Sequence, residues 1–190
     1  MSVDQFFLKI SSPGAAIAAL VVFVISSVVF AKINPKKAIA ERLGDKYFST
    51  DTTFGYTPDN LYVMLQEYDH NDRAAHYSYT GLDLIYPCFY AIPWAIITAC
   101  LMRTFAVSAN CRIHYLMFVP IAVAVFDYLE NFSMLGLVLM LPARSNSLAW
   151  FSTGMTMVKL VLIYAVFFLF TTGVIKLVFG PFANKMNFPP

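Results

Sequence analysis

Four long apolar stretches divide this chain, and polar segments of very unequal length separate them. The stretches run over about 13–32, 82–102, 113–141 and 148–178. A helix needs about 20 apolar residues to span the hydrocarbon core of a bilayer, and every stretch meets that length. The pattern predicts an all-α polytopic membrane protein: a four-transmembrane-helix bundle, with 1–190 as a single membrane domain. Gly14, Ala15, Ala18 and Ala19 give the first span small-x-x-x-small spacings, which let membrane helices approach closely. Pro87 and Pro93 fall inside the second span, where neighbouring groups can satisfy the carbonyls that a proline frees, so kinks are expected near both. The tail from Gly180 to Pro190 reads as irregular, and it is apolar enough to dock on something.

Between spans one and two lies a long extramembrane loop, residues 33–81, whose pattern is partly helical. Pro35-Lys36-Lys37 ends the first span, and Lys36 to Leu43 reads as a short interfacial helix. Thr57-Pro58 has the form of an N-cap followed by proline at the first helical position. Leu61, Met64, Leu65 and Tyr68 then recur at helical spacing, with their apolar face expected on the membrane or on the bundle. The polar run Asp69 to Arg73 reads as a break, and Arg73 to Tyr77 as the restart of a helix leading into span two. A connection of this length usually carries structure or function of its own.

Composition sharpens the picture. Hydrophobic residues make up 59% of the chain and charged residues 13%, against about 45–50% and 25% in soluble domains. A net charge of +2 and no basic run beyond Lys36-Lys37 argue against nucleic acid as a partner. Cys88, Cys100 and Cys111 show no C-x-x-C spacing, which argues against a disulfide framework or a thiolate metal site. Residues 1–10 carry Asp4 and Lys9 and no arginine, a poor transit peptide. Ala15 to Phe30 is longer than a signal-peptide core, and Ala31-Lys32-Ile33 is a weak cleavage site, so the first span is expected to be retained. Lys32, Lys36, Lys37, Arg42, Lys46, Arg73 and Arg144 fall on the long-loop face, and Lys9, Arg103, Arg112, Lys176 and Lys185 on the other. The positive-inside rule then places the long loop on the cytoplasmic or matrix side.

The unusual feature is Phe126-Asp127-Tyr128-Leu129-Glu130-Asn131, in the middle of span three. At about 1.5 Å per residue, Asn131 and Glu130 lie roughly 15 Å and Asp127 roughly 20 Å below the long-loop face. Asp127, Glu130, Asn131 and Met134 share one helical stripe, which must face the bundle. Lys159 in span four is the natural partner at that depth, and Asp83 opens span two. Three carboxylates thus oppose one lysine, so either Arg73 or Arg144 folds inward or one carboxyl holds a proton. Arg73 and Tyr77 are placed as a lid over the cluster. The cluster is either a structural network that fixes helix register or a site for a proton, a cation, a lipid headgroup or a small substrate. His70, His76 and His114 sit at or outside the membrane faces, without the spacing of a haem or metal site. Only His76, near Asp83 or Asp72, is placed to serve as a base for a hydroxyl nucleophile. No catalytic residue, cofactor or metal ligand is assigned.

Several short runs resemble an uncharacterised family of small four-span membrane proteins of bacteria and some protists. They are Tyr56-Thr-Pro58, Arg73-Ala-Ala-His-Tyr77, Asp83-Leu-Ile-Tyr-Pro87 with Tyr90, Asp127-Tyr-Leu-Glu-Asn131 and Thr156-Met-Val-Lys159. Asp127-Tyr-Leu-Glu-Asn131 is the most specific, and the chain departs from the family pattern at Asp72, where glycine is usual. The resemblance implies that Arg73, Asp83, Asp127, Glu130, Asn131 and Lys159 act as one unit, and it implies no activity. Two functions are expected from different classes. One is a non-catalytic accessory subunit of a larger membrane assembly, such as a respiratory-chain or ATP-synthase complex of the mitochondrial inner membrane, with lipids and other membrane subunits as partners. The other is a carrier of ions or small molecules, or a lipid-acting enzyme, that uses the buried cluster.

Overall fold

The computed structural model describes residues 10–104 and 112–186, all of them helix, turn or irregular backbone. In chain order the helices are α1 (Pro13–Ile33), α2 (Lys36–Leu43), α3 (Pro58–Leu65), α4 (His70–Asp83), α5 (Tyr86–Thr104), α6 (Val119–Met140) and α7 (Asn146–Met186). Four stretches of helix are long and apolar enough to cross a membrane: Pro13–Ile33, His70–Met102, Tyr115–Met140 and Asn146–Phe179. The protein is an all-α polytopic bundle. Antiparallel α6 and α7 form its centre, α5 packs on both, and α1 lies outside against α5.

The helix ends follow local chemistry. Ser12 caps α1 by accepting the amide of Ala15 at 3.1 Å, with Pro13 in the first turn. Thr57 caps α3 in the same way, accepting the amide of Asn60 at 3.2 Å. The polar run after Tyr68 starts a helix instead of breaking one. Asp69 accepts the amide of Asp72 and the Asp72 carboxylate accepts that of Asp69, both at 2.9 Å. That reciprocal capping satisfies donors that every helix start leaves orphaned. It allows α4 to begin at His70, and α4 with α5 forms one continuous span from His70 to Met102. Span two therefore starts well before Leu82, and Asp83 lies about 20 Å along it rather than at its mouth.

Two apolar cores bracket the molecule. On the long-loop side, Ile39 and Leu43 of α2 and Leu61, Met64 and Leu65 of α3 pack on Met134, Leu137 and Val138 of α6. Each such side chain contributes about 1.5–3 kcal/mol of burial, which turns the loop into a folded cap over the bundle. Deeper in the membrane, Trp94, Ile97 and Leu101 of α5 meet Ala19 of α1 and Val166 of α7. Ala19 is the one member of the small-residue stripe that is buried; Phe23, Ser27 and Phe30 continue the α5-facing side of α1, half-buried, and the opposite side of the helix is exposed.

Proline acts unequally. Pro93 sits inside an unbroken α5, whereas a turn at Leu84–Ile85, just before Pro87, separates α4 from α5. Pro87 has no N–H for the carbonyl of Asp83. Cys88 donates to Ile85 at 3.2 Å instead of to Leu84, and the freed Leu84 carbonyl accepts the Tyr128 hydroxyl at 3.1 Å. At the C-terminal end α7 remains helical through Met186, against the expectation of an irregular tail from Gly180. A helix already propagating has passed its costly nucleation step, and one proline at position 181 does not end it. Residues 187–190, and the docking expected of the tail there, lie outside the described residues.

Candidate functional site

The stripe on α6 does face the bundle, and the ion cluster forms around Lys159. Its ammonium donates to Asp127 Oδ1 at 3.0 Å and lies 2.5 Å from Glu130 Oε2. The other Asp127 oxygen accepts the Tyr90 hydroxyl at 2.7 Å, so both carboxylate oxygens are held. Glu130 is 0% exposed, and its Oε1 has no hydrogen-bond partner. Asp83 is 4% exposed, lies near Asn131, whose Nδ2 has no hydrogen-bond partner, and makes no ion pair among the described residues. All five residues of the expected cluster, Asp83, Asp127, Glu130, Asn131 and Lys159, are therefore brought together by α4, α6 and α7.

The expected lid is a different set of residues. The Arg73 guanidinium donates to the Leu141 carbonyl at 3.4 Å, at the end of α6, and Tyr77 is exposed on the outside of α4. Arg144 lies over the ring of Tyr62, 5.1 Å from its centroid. Neither arginine turns inward, because each is nearer to carbonyls or rings at the bundle end than to carboxylates roughly 15–20 Å below. The lid is the irregular segment between α2 and α3. It dips into the bundle: the Tyr56 carbonyl accepts the Thr153 hydroxyl of α7 at 3.1 Å, and the Tyr56 hydroxyl lies 3.2 Å from that of Ser152. Irregular backbone at such depth is tolerated when protein surrounds it.

Asp51 is the lid's working residue. Its Oδ2 accepts from the Lys36 ammonium at 2.9 Å and from the Tyr79 hydroxyl at 3.1 Å. Burial alone would raise the Asp51 carboxyl, but Lys36 beside it and Lys159 further in hold it well below the usual carboxylate range. Behind the lid, burial and the Asp51 charge push the Tyr47 hydroxyl up to about 12. At the outer edge, Arg42 of α2 pairs with Asp72 of α4 and donates at 2.7 Å to the carbonyl of Glu67 in the turn before α4, and Lys46 at the start of the lid lies 2.7 Å from the Glu67 carboxylate.

Under the lid lies a cavity of ≈ 340 Å³, within the range of small-molecule sites. Its upper end carries Asp51, Tyr79, Asp83, Asp127 and Lys159, and its lower end is apolar, with Phe23, Trp94, Val166 and Phe167. A second hollow of ≈ 360 Å³ runs along the outside between α1 and α5, lined by Val22, Ile25, Val29 and Phe89. Phe30 and Tyr86 line both. Their rings stack with centroids 4.2 Å apart, and the Tyr86 hydroxyl lies 3.0 Å from that of Ser27. This stacked pair is the partition between the inner cavity and the membrane-facing groove.

Reading the sequence alone left out Lys36, Asp51, Tyr79, Tyr86 and Trp94. Three of them were within reach, because Tyr79, Asp83, Tyr86, Tyr90 and Trp94 follow at i, i+4, i+7, i+11 and i+15 and mark one stripe. Lys36 and Asp51 carry no local signal, since only the dip of the lid brings them to the cavity. His76, considered as a base, is buried against the ring of Tyr68 with its Nδ1 unpartnered. The side chain of His114 lies outside the described residues. The hydroxyls of Thr153 and Thr156 donate to carbonyls one turn back on α7.

Fold and site together define a polytopic α-helical membrane protein with a cavity that is ionic at one end and aromatic at the other. No protein-family model matches the chain, and no curated protein or solved structure matches it either.

Proposed function

We propose that the protein binds a single-chain membrane amphiphile, holding the headgroup under the lid and the chain against Trp94. The observation that carries this is the cavity itself, which joins the ion cluster to an apolar aromatic floor in one volume. A purely structural network would be closed on both sides, whereas here Asp83, Asp127 and Lys159 border open space. The entry route is the stacked Phe30–Tyr86 partition, which separates that space from the bilayer-facing groove by two rings. Binding a membrane component in this way suits a carrier, or a protein that presents the molecule to others.

Trp94 provides the test. With the exposed Trp150 replaced by phenylalanine, Trp94 is the remaining tryptophan. Single-chain amphiphiles brominated near the chain end should quench its fluorescence with a saturable curve. Val123→Phe, which fills the cavity wall, should abolish the saturable part. Linear quenching that is identical in the filled variant would refute the reading.

The accessory-subunit reading rests on a separate observation. The outer face of α1, including Ile17, Val21, Val24, Ile25 and Val28, is exposed along its length. A neighbouring helix in a larger assembly would cover it, and so would lipid. The size of the particle extracted in mild detergent decides between them, and an isolated 21.3 kDa chain with bound lipid would dismiss the subunit. If a subunit copurifies, the mitochondrial inner membrane is the first setting to examine.

A further inference from the structure

Resting on the amphiphile-binding reading, we infer that the cavity selects a headgroup carrying an ammonium, primary or quaternary, over an anionic or uncharged one. Charge balance is the first argument. The cavity end and the groups touching it bring together Asp51, Asp83, Asp127 and Glu130 against Lys36 and Lys159. Lys36 is engaged by Asp51, and Lys159 is divided between Asp127 and Glu130. Asp83 borders the cavity and, among the described residues, makes no ion pair. A carboxylate taken out of water needs a paired positive charge or a proton, and a ligand that brings a positive charge supplies the first.

The second argument is the chemistry of the walls. Phe30, Tyr79, Tyr86 and Tyr90 line the same end of the cavity, and aromatic faces attract ammonium groups through the ring quadrupole. That corner already holds one such contact, since the Lys36 ammonium lies 3.6 Å from the centroid of the Tyr79 ring. Third, the carboxylates are too dispersed for a compact inorganic ion. Among the described residues, no three His, Cys, Asp or Glu side chains are grouped so as to hold a metal. A broad, weakly hydrated organic cation fits spaced carboxylates and ring faces better than a small hard one does. The shared chemistry is an alkyl chain with an ammonium head, found both in choline or ethanolamine lipids and in free long-chain amines.

Three probes of equal chain length test this on the full chain in a neutral detergent: an alkyl trimethylammonium, an alkyl sulfate and an alkyl glycoside. Affinity is read from the Trp94 signal and, independently, from the shift in thermal unfolding. The ammonium should bind about tenfold or more tightly than the sulfate, a difference of about 1.4 kcal/mol. Asp83→Asn should remove most of that preference, bringing the affinity for the ammonium probe close to that for the sulfate. Where that variant fails to fold, Tyr86→Leu, which removes one ring face, should reduce the preference instead. Equal binding of the three probes, or a preference for the sulfate, overturns the headgroup inference and leaves amphiphile binding standing. Binding of none of them overturns both. With the preference established, a lysophosphocholine compared with a long-chain primary amine distinguishes the two sources.

Discussion

Lys159→Met is the sharpest perturbation of the cluster. It removes the one ammonium that lies 3.0 Å from Asp127 and 2.5 Å from Glu130, and it leaves a side chain of similar length. Two buried carboxylates then lose their counter-ion, and breaking a buried pair by deleting one partner costs about 3–5 kcal/mol. For a chain of this size each kcal/mol moves Tm by about 2–4 °C, so thermal unfolding in detergent should fall by roughly 10 °C. The partners should not behave alike. Glu130 is fully buried with one oxygen unpaired, so Glu130→Gln added to Lys159→Met should restore about half of the loss. Asp127 keeps the Tyr90 hydroxyl at 2.7 Å, and Asp127→Asn added to Lys159→Met should restore less. The cycle is read as the coupling between the paired substitutions. A loss below about 1 kcal/mol for Lys159→Met, or strictly additive pairs, would show that these groups are not held as an ion triad and would refute the reasoning.

Other predictions follow from single contacts. Tyr90→Phe removes the hydroxyl donated to Asp127 and should cost about 1.5–3 kcal/mol, seen as a lower Tm with unchanged helical circular dichroism. Gly173→Ala places a Cβ 3.0 Å from both methyls of Leu101 and should destabilise by about 1–3 kcal/mol, with Leu101→Ala relieving the crowding in the double variant. Asp51→Asn tests the lid by pH. The folded carboxyl is held below its ordinary value, so its contribution is complete above an unfolded pKa of about 3.9 and is lost as pH falls through that value toward the folded one. The stability gap between wild type and Asp51→Asn should be flat from neutrality to about pH 5 and close below about pH 4; a gap that widens in acid would contradict it.

The spans and the stripe on α6 were legible because burial imposes a period: apolar runs of membrane length, and Asp127, Glu130 and Asn131 on one face. Lys159 was found by depth alone, because two helices joined by a short turn must match in level. The lid was misassigned for the opposite reason. Arg73 stands close to the cluster in sequence order, but α4 begins at His70 and carries its guanidinium to Leu141. Asp51 comes from an irregular segment with no period, and only tertiary contacts through Tyr56, Tyr79 and Lys36 fix its place. Aspartate at the third helical position did the work of the usual Glu or Gln in a capping box, so a helix start looked like a break.

Why a membrane bundle would keep this cluster follows from where the two apolar cores lie. The cap core on the long-loop side and the Trp94 core deeper down each pack without help from ions. The cluster lies between them, and there its carboxylates cost more than apolar side chains of equal volume would. Register alone is already set by the Tyr128 bond to Leu84 and by the tight approach of Gly173 to Leu101. What those contacts do not explain is an open volume beside Asp83, bounded toward the bilayer by only two stacked rings. Replacing Phe30 by alanine should leave both cores intact and open that boundary. The on-rate of a brominated alkyl glycoside, whose uncharged head does not depend on the Phe30 ring face, should then rise at Trp94 while its equilibrium affinity changes little, because removing the partition alters the barrier more than the end states of that probe. An unchanged on-rate would place the entrance at the lid instead, between Asp51 and Tyr79.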